Sequence, residues 1–437
     1  MDRLKAKVFN FDKSQIFYKK LGGKQALLQR ALMQKNIKID IYPEEGEKSA
    51  YLRRWVAKGK NKAIVFRGTM PSSTSLKANE ISKNKTETKS LLHSFGLRVP
   101  KGIVVSRSEF DNALQWFDSI DRKKVVVKPI YGSGGNGVFS NITEKSCLES
   151  IIKEMGEREF IVEEHIEGDD HRILVVGGKF VAAMRRWPAN VIGDGFSTID
   201  DLVKKKNAIR AQNPYDSRYP IKVTCDVERR LGNIGLTPDS VIEKGRRVFL
   251  QTIANIGVGG EGEDVTDIIH QEFVDEVEKC CEAFPDLECF GVDLIAEDIS
   301  KPPSVQDYSI IEVNANCDIP IHHWPTLGQP LDVAAVIADH YFPDEEKDIS
   351  YAVEVVVGGE VQGVGFRKWL SRQAVIHGLT GYCMNGNDGD LLALFEGSKY
   401  SVDSLISLCG KGPRKSNVET IEFKEIPSEG RTTFMIF

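Results

Sequence analysis

The sequence predicts an α/β region followed by a smaller α+β region, and three observations lead there. Residues 125–129 (VVVKP) form a β-branched run that ends in a glycine-rich turn. Two later apolar runs, 290–298 and 309–318, carry acidic and amide side chains at strand spacing. Residues 350–437 order their elements β-α-β-β-α-β.

The elements follow in chain order. In residues 1–80 an apolar run at 6–11, a helical stretch at 25–34 and strands at 37–43 and 62–68 suggest a small α/β domain. Arg67 ends its last strand and is a candidate substrate contact. Residues 72–89 are rich in Ser, Thr, Asn and Lys, which puts a domain boundary near residue 80. A second domain, 81–343, begins there. After VVVKP come glycines at 132, 134, 135 and 137, a Gly-rich hairpin suited to lying over phosphates. It lacks the Gly-Lys-Ser/Thr entry into a helix that a Walker loop needs, and it does not open a helix as a dinucleotide fingerprint does.

Residues 159–166 (EFIVEEHI) read as a strand running into an acidic hinge, and 167–186 as two strands around Gly177 and Gly178. The strands 290–298 and 309–318 present Asp293, Glu312 and Asn314. Carboxylate and amide oxygens of this kind suit hard Mg²⁺ ions, and the Glu-x-Asn spacing puts Glu312 and Asn314 on one strand face. The helical stretch 271–284 has apolar positions 273, 274, 277, 281 and 284, a core-facing stripe. His322 and His323 follow the last of these strands and receive no role.

The acidic run at 344–349 reads as a solvated linker to a third domain, 350–437. There 351–357 alternates as a strand, Gly358 and Gly359 turn the chain, and 366–377 is helical. Gly363 and Gly365 free the intervening backbone to converge its N–H groups on one anion at the helix N-terminus, and Arg367 adds a planar cationic fork. Asn385 ends the first strand of a hairpin spanning 381–397. A helix at 401–409 and strands at 418–426 and 432–437 complete the ferredoxin-like order.

Composition narrows the classes of function. A chain of 437 residues has room for about three domains. A net charge of −5, with no basic stripe interleaved with aromatics, argues against a nucleic-acid partner. No apolar run reaches the roughly 18 residues of a membrane span, and residues 1–14 have no apolar signal core, so the expectation is a cytoplasmic protein without a membrane partner. The eight cysteines have no CxxC spacing and read as reduced core thiols.

Over residues 84–343 the runs NKTETKSLL, VVVKP, FIVEEHIEGDDHRILVVGGK, WPANVIGDGFSTIDDLV, GEDVTD, GVDLI and IEVNAN resemble the ATP-grasp carboxylate-amine ligases, in particular the ligase region of cyanophycin synthetases and bifunctional glutathione synthetases. The resemblance implies an ATP-grasp fold. It implies that Lys85 and Lys128 contact ATP phosphates beneath the loop of Gly134 and Gly135, and that the hinge Glu163, Glu164 and Ile166 meets adenine. Asp170 would sit at the ribose. Asp293, Glu312 and Asn314 would hold two magnesium ions, for which manganese can substitute. Arg172, Arg185 and Arg186 are the candidates for the γ-phosphate or acyl phosphate, with Arg172 and Arg186 counted as catalytic. The implied substrates are a small-molecule carboxylate and an amine, and such ligases are often homo-oligomers. Asn255, Gly257, Gly259 and Gly260 depart from the family's usual Asn-Leu-Ser-Thr-Gly-Gly run.

Over residues 350–437 the run VQGVGFR, the Asn385 strand and Gly412-Pro413 resemble the acylphosphatases. That resemblance implies that Arg367 binds the phosphoryl group and that Asn385 positions the attacking water. Met384 stands where the family often has Arg. The expected function is an ATP-dependent ligase acting through an acyl phosphate, with a C-terminal domain that hydrolyses acyl phosphates as an editing step. The alternative expectation is mainly an acylphosphatase whose ATP-grasp region is a nucleotide-binding regulatory module.

Overall fold

The computed structural model describes residues 23–41, 54–121, 123–132, 135, 137–155 and 159–437. The strand expected at 6–11, the end of the one expected at 37–43, and Ser133, Gly134 and Asn136 of the glycine-rich turn lie outside them. The described chain divides into two units. One comprises Ser73–Ala211 and Arg218–Leu331; the other comprises the described residues up to Ser72, Gln212–Ser217 and Asp332–Phe437.

The first unit holds two larger sheets. In one, the strands run in the order Gly102–Val105, Phe160–Glu164, Val125–Pro129 and Phe139–Ile142, all neighbours antiparallel. Val125, Val127, Phe160 and Val162 line one face and pack on Ala113, Phe117, Leu148 and Ile152. Alternation then turns Lys128 and Glu163 to the other face. The second sheet runs Glu261–Asp264, Lys179–Trp187, Asp169–Val176, Cys289–Ala296 and Tyr308–Asn314, again antiparallel throughout. Helix Gln271–Ala283 packs against its middle strands. Phe273, Val274, Val277, Cys280 and Ala283 of that helix are buried, so Cys280 takes the core position expected of Cys281, as a 3.6-residue period requires.

Between Trp187 and Glu261 the chain builds a small core of its own that the sequence reading missed. Helices Ile199–Arg210 and Cys225–Asn233 cover a two-stranded ribbon, Asn190–Ile192 with Arg247–Phe249, and bury Val191, Leu202, Val227 and Leu231. Its strands are three residues long and the first helix is rich in lysine, so neither carries a strong periodic signal.

In the second unit, helix Lys24–Gln34 accompanies an antiparallel sheet in the order Lys38–Ile41, Arg54–Lys58, Ala63–Arg67 and Met70–Pro71. The strand Arg54–Lys58 was not anticipated, because Trp55, Val56 and Ala57 are buried in succession and leave no alternation to read. The same helix packs against Val333–Tyr341 and Lys399–Cys409. Ser398 Oγ donates to the Met33 carbonyl at 2.5 Å, and Tyr400 N donates to Asn36 Oδ1 at 3.1 Å.

The C-terminal sheet runs Asn417–Ile426, Tyr351–Glu360, Leu391–Gly397, Thr380–Asn385 and Phe434–Ile436, with helices Phe366–Ile376 and Lys399–Cys409 contributing to one core beside it. One expectation changes. The first strand does not turn at Gly358-Gly359 but continues to Glu360 through a bulge there, which Gly359 accommodates with φ +119°. The strand expected at 432–437 forms as Phe434–Ile436, a fifth strand parallel to Thr380–Asn385. The cysteines also differ from a uniform set of core thiols: Cys280, Cys289, Cys317, Cys383 and Cys409 are buried, whereas Cys147 and Cys225 are exposed. No helix among the described residues is long and apolar enough to cross a membrane.

Candidate active site

In the first unit, helix Lys85–Ser94 begins at Asn84, whose side chain accepts from the Thr86 and Glu87 N–H groups. Its position beside the glycine-rich turn is fixed by Lys85 Nζ donating to the Gly132 carbonyl at 2.8 Å and by Asn84 Nδ2 reaching the Tyr131 hydroxyl at 3.1 Å. Gly135 (φ +77°) leaves room for Ile253, which a Cβ there would meet at 2.9 Å. One turn further along the helix, on the same face, Lys89 donates to Glu163 Oε2. Lys128 reaches the other oxygen, Glu163 Oε1, at 2.5 Å. All four of these charged side chains are buried.

Burial alone would raise the Glu163 pKa, but Lys128 and Lys89 overcome it and hold the carboxyl below its ordinary range. Burial lowers the pKa of Lys85 against the pull of Glu312, and that of Lys89 against the pull of Glu163. Glu164 ends the strand, its N–H donating to the Lys101 carbonyl; beyond it Ile166 is buried and Gly168 turns at φ +134°. A Cβ on Gly168 would lie 2.4 Å from the carbonyl of Ala296, so the turn into the next sheet admits only glycine.

On the second sheet, antiparallel register places Asp293 directly opposite Glu312 and also opposite Arg172, with Asn314 two residues beyond Glu312 on the same face. Arg172 grips Asp293 through Nε and, at 3.0 Å, through Nη2; Arg186 Nη2 reaches Asp293 Oδ2 at 3.0 Å, and Arg186 Nε donates to Asp170 at 2.5 Å. Burial works against Asp293, yet the two guanidiniums hold its carboxyl below the usual range. Asp170 and Glu312 shift the other way. Burial is the main cause for both, and for Glu312 the facing charge of Asp293 adds to it against Lys85 and Arg172. The unit thus carries two facing carboxylates whose repulsion is only partly relieved, and the buried Asn314 Nδ2 beside them lacks a hydrogen-bond partner. Two facing carboxylates in mutual repulsion are hard oxygen donors that fit a divalent cation, whereas the unpaired Asn314 Nδ2 is a donor that calls for an acceptor such as a phosphate oxygen.

Arg185 departs from the sequence expectation. Adjacent strand residues point to opposite faces, so it lies away from Arg172 and Arg186, near Asp169 (3.4 Å) and over the Trp187 ring. His322, left without a role, is buried on helix Pro320–His323, and its pKa is pushed down to about 3 by burial first and by Arg172 second. Asn255 caps a short helical turn, its Oδ1 accepting from Gly257 N.

In the second unit, Arg67 is exposed at the end of its strand. Strand Tyr351–Glu360 leads through Gly363 and Gly365 (φ +71° and +82°) into helix Phe366–Ile376, which places Arg367 in its first turn. Gln362 Nε2 donates to the carbonyls of Gly386 and Asp390, both at 2.9 Å. That ties the loop to the hairpin turn that follows Asn385, so Arg367 and Asn385 belong to the same end of the sheet. Arg367 Nη1 donates to the Phe437 main-chain oxygen at 2.6 Å.

Residues 88–195 match the family model of the ATP-grasp domain of prokaryotic glutathione synthetase, and residues 353–436 match that of acylphosphatase. The chain carries an ATP-grasp region and an acylphosphatase domain. It is 34% identical over 289 residues to the cyanophycin synthetase of Synechocystis sp., covering 64% of this chain and 32% of that protein. It is 32% identical over 292 residues to the glutathione biosynthesis bifunctional protein of Clostridium perfringens, covering 65% of this chain and 37% of that one. The crystal structure of a bifunctional glutathione synthetase from Pasteurella multocida shares the fold over 74% of this chain and 44% of its own, with a TM-score of 0.56 and 24% identity. The chain spans about a third of the length of the curated relatives it matches.

Within the ATP-grasp region the residues singled out from the sequence gather on two sheets of one unit: Lys85, Lys128 and Glu163 at the first, Asp170, Arg172, Arg186, Asp293, Glu312 and Asn314 at the second. Helix Lys85–Ser94 packs against strand Tyr308–Asn314 and joins the two groups. Gly134 lies outside the described residues. The residue missed was Lys89; its signal was the four-residue step from Lys85, which is the spacing of one helix face. In the acylphosphatase domain, Met384 is on the surface next to Asn385.

Proposed function

We propose that the chain is an ATP-dependent carboxylate-amine ligase whose acylphosphatase domain hydrolyses acyl phosphates. The observation that carries this reading is the facing pair Asp293 and Glu312 with two guanidiniums on one side and three buried lysines on the other. It is supported by the ATP-grasp match and by relatives named as a synthetase and a glutathione biosynthesis protein.

In this reading Lys85 and Lys128 bind ATP phosphates, the Glu163, Glu164 and Ile166 segment meets adenine, and Asp170 meets the ribose. Asp293, Glu312 and Asn314 hold two magnesium ions, or manganese, which when bound neutralise charge on the β- and γ-phosphates. Arg172 and Arg186 bind the γ-phosphate and then the acyl phosphate, for which the phosphate must compete with Asp293. A carboxylate oxygen attacks the γ-phosphorus and ADP leaves. An amine nitrogen then attacks the acyl carbon, the C–O bond to phosphate breaks, the nitrogen loses its proton, and an amide and inorganic phosphate result. The substrates are a small carboxylate, such as an amino acid or peptide, and an amine.

In the acylphosphatase domain Arg367 holds the phosphoryl oxygens and Asn385 orients a water whose oxygen attacks phosphorus, with the carboxylate leaving. Such a domain removes acyl phosphate formed on the wrong carboxylate, an editing role. We assign residues 1–80, 81–343, 344–349 and 350–437 as a small α/β domain, the ligase domain, a linker and the acylphosphatase domain, with the cytoplasm as its compartment and a homo-oligomer as its assembly. Limited proteolysis, cell fractionation and sedimentation test those three assignments.

The decisive experiment is a screen of amino acids and small peptides for ADP release, run in Arg367→Ala so that hydrolysis does not mask ligation. ADP release that requires both a carboxylate and an amine supports the ligase; no stimulation by any pair would sink it. The alternative, mainly an acylphosphatase with a regulatory nucleotide module, is favoured instead if benzoyl phosphate hydrolysis proceeds while no pair stimulates ADP release.

A further inference from the structure

The carboxylate of Glu163 is buried and clamped between two ammonium groups, Lys89 on Oε2 and Lys128 on Oε1. Two cations on one anion exceed what neutralisation requires, so the second needs a reason. The two lysines differ in what else they face. Lys128 stands on strand Val125–Pro129, which leads directly into the glycine-rich turn, whereas Lys89 lies one helical turn past Lys85, deeper along helix Lys85–Ser94. A nucleotide phosphate arriving under that turn recruits Lys85 and Lys128. Once Lys128 turns toward phosphate, Glu163 would be a buried charge without a partner, which costs several kcal/mol, were Lys89 not there to keep it paired.

We infer that Lys89 is a positioning residue for the nucleobase: by staying on Oε2 of Glu163 while Lys128 serves the phosphate, it keeps Oε1 an aimed, ionised acceptor. This rests on the reading that the first unit binds ATP with its base at the segment following Phe160–Glu164. An ionised carboxylate accepts hydrogen bonds and donates none. It therefore favours a base with an exocyclic amino group at that point and rejects one with a carbonyl oxygen there. Lys89 touches neither base nor phosphate in this account; it acts through Glu163.

ATP and ITP separate this role from a structural one, since they differ at position 6 of the purine, amino in one and oxo in the other. Calorimetric titration of the full chain with each nucleotide and Mg²⁺ should show wild type favouring ATP by about tenfold or more, the size expected for a hydrogen bond to a charged group. In Lys89→Met the preference should fall to within about threefold, chiefly through weaker ATP binding, and Lys89→Arg should restore it. A Lys89→Met variant that keeps the wild-type ATP/ITP ratio overturns the inference while leaving the ATP-binding reading intact. Wild type that binds no ATP overturns the reading itself. Should Lys89→Met not fold, the Glu163→Gln background decides, because a neutral amide needs no lysine. Adding Lys89→Met to Glu163→Gln should restore folding and leave the ATP/ITP ratio where Glu163→Gln puts it; a loss as large as in wild type overturns the inference.

Discussion

Arg172 holds Asp293 with two guanidinium nitrogens across adjacent antiparallel strands, Nε on Oδ1 and Nη2 on Oδ2 at 3.0 Å. Both side chains are close to nine-tenths buried, so the pair is shielded from water and salt. Removing one partner leaves a desolvated charge. Arg172→Ala is expected to destabilise the protein by about 3 kcal/mol, read as a fall in Tm or in denaturant midpoint. Arg186, which also reaches Asp293, limits the loss, and Arg172→Lys should recover part of it. An unchanged Tm would show that Asp293 does not depend on this contact.

Glu312→Gln should separate stability from activity. The folded pKa of Glu312 is raised by burial and by Asp293 opposite it, so the folded state binds the proton more tightly than the unfolded chain. The wild-type protein therefore loses stability as pH rises through the ordinary glutamate range, and the variant does not. At neutral pH Glu312→Gln should be more stable by about 1 kcal/mol. That gain should vanish well below pH 4, where both states hold the proton. ADP release should drop by at least about a hundredfold. A less stable variant at pH 7 would contradict the sign.

Arg367→Ala and Asn385→Ala should each reduce benzoyl phosphate hydrolysis by at least about a hundredfold, since each removes a group proposed to act on the reacting phosphoryl or water. Nucleotide binding by Asp293, Glu312 and the lysines is expected to be unchanged in both. The informative comparison is ATP consumed per amide formed. Editing predicts that Asn385→Ala alters this ratio, and an identical ratio in wild type and variant would remove editing from the account.

Gly168→Ala tests the turn between the two sheets of the first unit. Its φ of +134° is closed to other residues, and the added Cβ would press on the Ala296 carbonyl. The expected cost is about 2–4 kcal/mol in thermal or denaturant unfolding. Because Gly168 immediately precedes Asp169 and Asp170, ATP affinity should fall as well. A variant with wild-type Tm and affinity would show that the turn relaxes.

The strands carrying Lys128, Glu163 and Asp293 were legible because continuous apolar or β-branched runs and glycine punctuation are local properties of the sequence. The hairpin with Asn385 and the helix with Arg367 were legible for the same reason. Arg54–Lys58 was not, since its three central residues are buried in succession, and the small core between Trp187 and Glu261 was not, since its segments are too short or too basic to show a period. Which candidates share a face is a different matter. Arg185 and Arg186 are neighbours in sequence, yet strand alternation sends them to opposite sides, and only register decides that Arg186 joins Arg172 on Asp293. Chemistry could be read one residue at a time. Pairing could not: Lys89 with Glu163, and Asp293 with Glu312, join positions 74 and 19 apart by subtraction of their numbers, and such separations close only when helix and strands pack.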